Sequence, residues 1–262
     1  MVASTSDIVA TLRAAGCVFA EDEARLLTDA AGDADQLADM VARRAAGLPL
    51  EHVLGWASFC GLRIAVDPGV FVPRRRTELL AWQALKLAEP GAVVVDLCCG
   101  SGAVAAAVAA TVPDAELYAA DVDPAAVRCA RRNVPSGHVY EGDLYAPLPA
   151  ALRGRVDVLI ANAPYVPTRA IDLMPPEARL HEPRVALDGG ADGLDVLRRV
   201  IDGAREWLAP GGHLLVETSE AQAPVLLGAA GFAGLRPRLA RDTGLTATIV
   251  IARAPQTTRT PS

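Results

Sequence analysis

The sequence predicts an α/β fold, a doubly wound and mostly parallel sheet that ends in an antiparallel strand pair and follows a small helical domain and a β-hairpin. Three observations carry this prediction. From about residue 92, short apolar runs alternate with stretches of helical periodicity, the rhythm of parallel strands joined by helical crossovers. Two late strand-like runs, 234–240 and 246–252, are joined only by residues 241–245, too short a connection for a parallel crossover, so they pair antiparallel. Residues 6–46 instead repeat apolar positions at helical spacing.

In that first segment Ile8 and Leu12, then Ala24, Leu26 and Leu27, then Leu37, Met40 and Val41 mark the buried faces of a small bundle, with Asp22 and Asp33 as candidate caps. Gly47 and Pro49 end it. Phe59, Leu62, Ile64, Val66 and residues 70–72, interrupted by Cys60-Gly61 and Asp67-Pro68-Gly69, predict a hairpin. A helix follows from Thr77 to Ala88, closed by Pro90-Gly91. Strands are then expected near 92–97, 116–121, 138–141, 156–161 and 212–217, with helices near 101–110, 124–133, 192–208 and 219–230. The tail from Arg253, rich in Pro, Thr and Arg, is expected to be disordered. The expected division is 1–48 helical, 49–75 hairpin linker, 76–253 sheet domain and 254–262 tail.

At 262 residues, with 52% hydrophobic and 21% charged residues, the chain has ample core for one large domain and an appendage. A net charge of -6 argues against a general nucleic-acid binder, whose affinity rests on many phosphate contacts. Five scattered cysteines without metal-ligand spacing and four isolated histidines predict a reduced, cytoplasmic protein with no metal site. No apolar run approaches about 18 residues and the N-terminus lacks a signal pattern, so neither a membrane span nor export is expected.

The candidate chemistry sits at strand ends. Asp96 ends a strand that runs into Cys98-Cys99-Gly100-Ser101-Gly102, a turn in which glycines let a ligand approach the backbone at a helix start. Gly100, Gly102 and Ala105, with Asp121 downstream, also satisfy the dinucleotide pattern, so a nicotinamide enzyme stays open at this point. Asp121, closing the second strand, is placed to accept from ribose hydroxyls, while Asp123 before Pro124 reads as a helix cap. Asp143 is placed to accept from an adenine amino group, with Leu144 covering the ring. The apolar strand 156–161 stops at Asn162-Ala163-Pro164-Tyr165, where open α/β sheets bind ligands. Residues 166–190 are long for a plain connection and predict a substrate-facing loop. Arg74, Arg75 and Arg76 read either as a solvated basic patch or as a contact for an acidic partner.

The order Asp96-x-x-x-Gly100-x-Gly102, Asp121, Asp143-Leu144, Asn162-x-Pro164-Tyr165 resembles the S-adenosylmethionine-dependent methyltransferases that modify amide or amino nitrogens. Leu50-Glu51-His52-Val53-Leu54-Gly55, the stretch from Phe71-Val72-Pro73-Arg74 to Thr77-Glu78, and His181-Glu182-Pro183-Arg184-Val185-Ala186-Leu187 further resemble the bacterial protein-glutamine methyltransferases acting on peptide-chain release factors, the HemK/PrmC family. The resemblance implies a Rossmann-like class I methyltransferase sheet, S-adenosylmethionine as cofactor, and a protein substrate whose glutamine is methylated, with a release factor as the implied target. It departs where that family has Asn-Pro-Pro-Tyr against Ala163 here, glycine against Cys98, and Pro-Arg-Pro-Glu-Thr-Glu against Pro73-Arg74-Arg75-Arg76-Thr77-Glu78. The helical segment, which in the family helps recognise the release factor, is also shorter.

An amide nitrogen is a poor nucleophile because its lone pair is delocalised, so two acceptors must hold its two hydrogens. The Asn162 side-chain oxygen and the backbone carbonyl of Ala163 are the expected pair, and Pro164 biases residue 163 toward an extended conformation. Tyr165 is expected to form an aromatic wall for the amide. No general base is required. Alternatives at this level are methylation of an exocyclic amino group on a nucleic-acid base, the nicotinamide oxidoreductase, and a binding module without catalysis.

Overall fold

A computed structural model describes residues 4–256, so the terminal part of the expected tail lies outside the described residues. Three helices come first: α1 (Thr5–Ala14), α2 (Ala20–Ala30) and α3 (Ala34–Ala45). Ser4 caps α1 in a reciprocal box with Asp7, and Asp33 caps α3 by accepting from the Gln36 N–H at 2.8 Å. The reading of Asp22 as a cap is corrected. It lies inside the first turn of α2, whose N-cap is Phe19 without a side-chain bond, and it pairs with Arg25. Ile8, Leu12, Ala24, Leu27, Met40 and Val41 bury together as this unit's own core.

A short helix, α4 (Leu50–Leu54), ends at left-handed Gly55 and leads into the hairpin β1 (Trp56–Phe59) and β2 (Leu62–Ala65). Its turn residues, Cys60 and Gly61, both have positive φ, as a two-residue type I′ turn demands. Residues 70–72 do not extend the hairpin as expected. Val70 and Val72 are buried, but the Val72 N–H donates to the Glu182 side chain at 3.1 Å, so no ladder forms. A 3-10 turn (Arg75–Thr77) precedes α5 (Glu78–Leu87).

The remaining elements are β3 (Val93–Leu97), α6 (Ala103–Thr111), β4 (Glu116–Asp121), α7 (Pro124–Asn133), β5 (His138–Glu141), β6 (Val156–Ala161), α8 (Pro176–His181), α9 (Asp195–Trp207), β7 (Leu208–Thr218), α10 (Ala223–Phe232), β8 (Arg236–Asp242) and β9 (Ala247–Arg253). The seven strands lie in the order β5-β4-β3-β6-β7-β9-β8. The first five run parallel, and β9 pairs antiparallel with both neighbours. Arg253 therefore belongs to the sheet and not to the tail.

Alternate residues of a strand point to opposite faces, and each face here has its own helices. Leu159 and Ala161 of β6 pack with Leu197, Ile201 and Leu226 of α9 and α10; Val158 and Ile160 pack with Leu80, Val104 and Val108 of α5 and α6. The chain leaves β3 toward β4 and β5, then returns to β6 on its other side. That reversal opens a crevice beyond the carboxyl ends of β3 and β6, where Leu97 and Ala161 stop. No helix among the described residues is long and apolar enough to cross a membrane.

Candidate active site

The turn after β3 is built on left-handed backbone: Cys98, Gly100 and Gly102 have φ of 54, 55 and 76. At Gly102 a Cβ would also stand 3.1 Å from Ala130, so the glycine lets α6 start against α7. At Gly100 a Cβ would meet only open space, and its freedom lies in φ alone. Cys98 holds the same conformation with a side chain, at a cost of about 1–2 kcal/mol.

Carboxylates fix this turn from two strands. Asp121 accepts from the Gly100 N–H at 2.8 Å and the Asp123 N–H at 2.9 Å, and Asp123 caps α7 through the Ala125 N–H. Asp96, only 3% exposed, accepts from the Ala105 N–H at 3.3 Å. Burial pushes its carboxyl up to about 7, with nearby Asp121 adding to the rise. Burial likewise raises Asp121 and the thiols of Cys98 and Cys99, which are therefore inert small packers and not nucleophiles.

A cavity of about 310 Å³ opens here. Asp96, Cys98, Cys99, Gly100, Ser101, Asp121, Asp143, Leu144, Asn162 and Pro164 all border it, so residues distant in sequence converge on one cavity. Gly102 acts behind this wall, at the helix start. Phe59, Phe71, Thr77, Pro183, Val185 and Arg199 also line the cavity, and sequence reasoning gave them no site role. Asp143 pairs with Arg199 at 2.6 Å, and Leu144 beside it is left-handed at φ 49. Cys98 and Leu144, two of the five non-glycine residues with positive φ among the described residues, thus both sit on this one cavity.

Beyond β6, the Asn162 amide nitrogen donates to Thr77 Oγ1 at 3.3 Å, while its side-chain oxygen takes no hydrogen bond from the described residues. Ala163 is buried and its methyl joins the core under the sheet. Tyr165 corrects an expectation. Its hydroxyl donates to Glu217 Oε1 at 2.9 Å, the Arg76 guanidinium lies 5.8 Å from its ring centre, and it borders a second hollow and not the cavity shared by Asn162 and Pro164. It anchors the loop from behind. Gln222 adds to the anchor by donating to the Tyr165 carbonyl at 3.0 Å. Its equal bond to the Asp192 carbonyl ties in the following segment.

The long connection 166–190 folds back over this loop. It contains a 3-10 turn (Thr168–Leu173), α8 and a second 3-10 turn (Arg184–Ala186). Gly189 packs so closely that a Cβ would stand 2.7 Å from the Pro164 carbonyl. Glu182, buried, accepts from Arg74 and from the Val72 N–H, which fastens this connection to the segment before α5. Burial raises its carboxyl against the opposing pull of Arg74. The arginine triplet is thereby divided: Arg74 serves Glu182, Arg76 donates to Glu217 at 3.2 Å, and only Arg75 has no acidic partner among the described residues.

Residues 61–190 match the family model of the methyltransferase small domain. A methyltransferase structure from Pyrococcus furiosus aligns with a TM-score of 0.56 at 18% identity, over 83% of this chain and 99% of that one, which shows the shared fold. The release factor glutamine methyltransferase of Bradyrhizobium diazoefficiens is 36% identical over 88% of this chain and 81% of its own length. That of Geobacter sulfurreducens is 42% identical over 72% of this chain and 67% of its own. Likeness at that level over two thirds or more of both chains makes the chain a member of the release factor glutamine methyltransferase family.

Proposed function

We propose that this enzyme methylates the side-chain amide nitrogen of a glutamine in a protein, with a peptide-chain release factor as the target. The observation that carries the reading is the convergence of Asn162 and the Gly100–Asp121 turn on one cavity. S-adenosylmethionine, the cofactor of such methyltransferases, supplies a methyl group activated by its positive sulfonium. The cavity fits that cation. Asp96, buried, Asp121, half-buried, and Asp143, exposed, all border it against the single guanidinium of Arg199, and a cation offsets the cost of the buried carboxyl.

In this reading Asp121 holds ribose hydroxyls. Each of its oxygens takes one backbone N–H and retains a lone pair for another donor. Asp143, oriented by Arg199, accepts from the adenine amino group, and Leu144 covers the ring. Asn162 presents its free side-chain oxygen to one amide hydrogen of the glutamine, and the Ala163 carbonyl takes the other; this alignment is the main catalytic contribution. Because only that carbonyl is needed, alanine serves where relatives have proline. Tyr165, held by Glu217 and Gln222, keeps the loop in place. Residues 1–48 act in recognising the protein substrate. A cytoplasmic location is supported by five free cysteines.

The test is to incubate the purified enzyme with methyl-labelled donor and intact release factors, then map the label by mass spectrometry. Label on one glutamine amide is expected. Label on the exocyclic amine of a nucleic-acid base instead overturns the assignment.

A further inference from the structure

Thr77 occupies the N-cap position of α5, where a threonine hydroxyl ordinarily accepts an N–H from the first turn of its helix. Here it makes no capping bond. The residue is buried on the wall of the first cavity, and its hydroxyl instead accepts the Asn162 amide N–H at 3.3 Å, across 85 positions of sequence. A helix cap is given up for a contact to the residue that carries the proposed chemistry.

The neighbours of Thr77 hold that hydroxyl in place. Arg74 donates to Glu182 of the connection 166–190, Arg76 donates to Glu217 at the end of β7, and Glu78 accepts from the Cys60 N–H of the hairpin turn at 2.9 Å. The Thr77 N–H itself donates to the Arg74 carbonyl at 2.9 Å. The segment before α5 is thus pinned to three separate parts of the fold. An asparagine amide needs such a fixed point, because its last torsion is broad and roughly two-fold, and only a partner decides where its oxygen and nitrogen lie. With the nitrogen on Thr77, the Asn162 oxygen takes no hydrogen bond from the described residues. It is not among their buried unpaired atoms either, so it meets solvent at a residue that borders the cavity. The reversed amide would set its own N–H groups against those of a substrate amide, donors facing donors.

Resting on the glutamine reading above, we propose that Thr77 is a positioning residue, whose hydroxyl holds the Asn162 amide with its oxygen toward the substrate nitrogen. In the full-length enzyme Thr77→Val removes the acceptor at nearly constant shape, and Thr77→Ser keeps it. With an intact release factor and methyl-labelled donor, Thr77→Val is expected to lower kcat roughly tenfold, part of the roughly 10²–10³-fold lost when an oriented polar group is removed outright. Donor affinity by titration calorimetry should hold, and Thr77→Ser should recover most of the rate. Thr77→Ala, which adds no methyl to the buried site, should repeat the loss. The deciding measurement is a double-mutant cycle with Asn162→Ala. In that background Thr77→Val should cost no further rate in single turnovers, because its route to the reaction has gone. A full tenfold loss there, as an independent or purely structural effect would give, overturns the positioning role. So does an unchanged kcat, or a loss of donor affinity, in both Thr77→Val and Thr77→Ala. A wild-type enzyme that labels no release factor overturns the glutamine reading on which this role rests.

Discussion

Asn162 and Asp96 both border the cavity, the first half-buried and the second buried. Asn162 leaves its side-chain oxygen free while its nitrogen is tied to Thr77, so removing it should strip orientation from the amide without disturbing the donor wall. Asn162→Ala is expected to lower turnover roughly 10²–10³-fold, the scale seen when one oriented polar group is removed from a reacting centre. Donor affinity, followed by titration calorimetry, should change little, and unchanged turnover would remove Asn162 from the mechanism. Asp96 is the second. Its carboxyl, lifted to about 7 by burial, keeps its proton in the native state over a range in which the unfolded chain, at about 3.8, has lost it. The native state then binds more protons than the unfolded state, so stability falls as pH rises through that window, by at most roughly 4 kcal/mol at 1.36 kcal/mol per unit. Asp96→Asn should flatten this decline, giving a donor-free protein that matches wild type near pH 4 and exceeds it near pH 8 in chemical denaturation. A parallel pH profile would show that Asp96 does not carry the shift.

Periodicity made the strands and crossovers legible because each buries a fixed face against one layer: β3 and β6 are apolar nearly throughout, and the pairing of β8 with β9 follows from their short connection. The residues that converge on the first cavity were legible for the same reason, since they sit at strand ends. What stayed hidden depends on distant partners. Glu217 meets Tyr165 across 52 positions and Glu182 meets Val72 across 110, separations at which no local pattern operates. For that reason Tyr165 was assigned to the wrong face of its loop and residues 70–72 to a strand. Arg44 is a further case. On α3 it reads as a surface cation, yet it is buried between Glu23 of α2 at 2.6 Å and Glu177 of α8 at 2.7 Å, and it donates to the Leu48 carbonyl at 3.0 Å. It therefore fastens the bundle to the connection that covers the Asn162 loop. Arg44→Met leaves the buried Glu23 carboxylate uncompensated and should destabilise the protein by roughly 3–5 kcal/mol in denaturant melts. Adding Glu23→Gln should recover part of that loss, and additive losses would show that the two side chains do not act as a pair.

Across the whole molecule, large apolar side chains stay exposed in several places, among them the bundle and the connection fastened to it by Arg44. Phe19 is 69% exposed and Leu173 85%, and Phe232 of α10 is 96% exposed elsewhere on the surface. Phe19 is informative because it occupies the N-cap of α2, where Ser, Thr, Asp or Asn would satisfy a free N–H and Phe makes no capping bond. A serine there should stabilise the free protein by roughly 0.5–1 kcal/mol. If the bundle receives the protein substrate, the same change removes an anchor whose burial is worth roughly 1.5–3 kcal/mol, a ten- to hundredfold effect. Phe19→Ser is therefore expected to raise the thermal midpoint while lowering kcat/KM toward an intact release factor about tenfold or more, through KM. Donor affinity should not move. A variant that gains stability and keeps full activity would show that residues 1–48 present no contact at Phe19, and recognition would then rest on the connection 166–190.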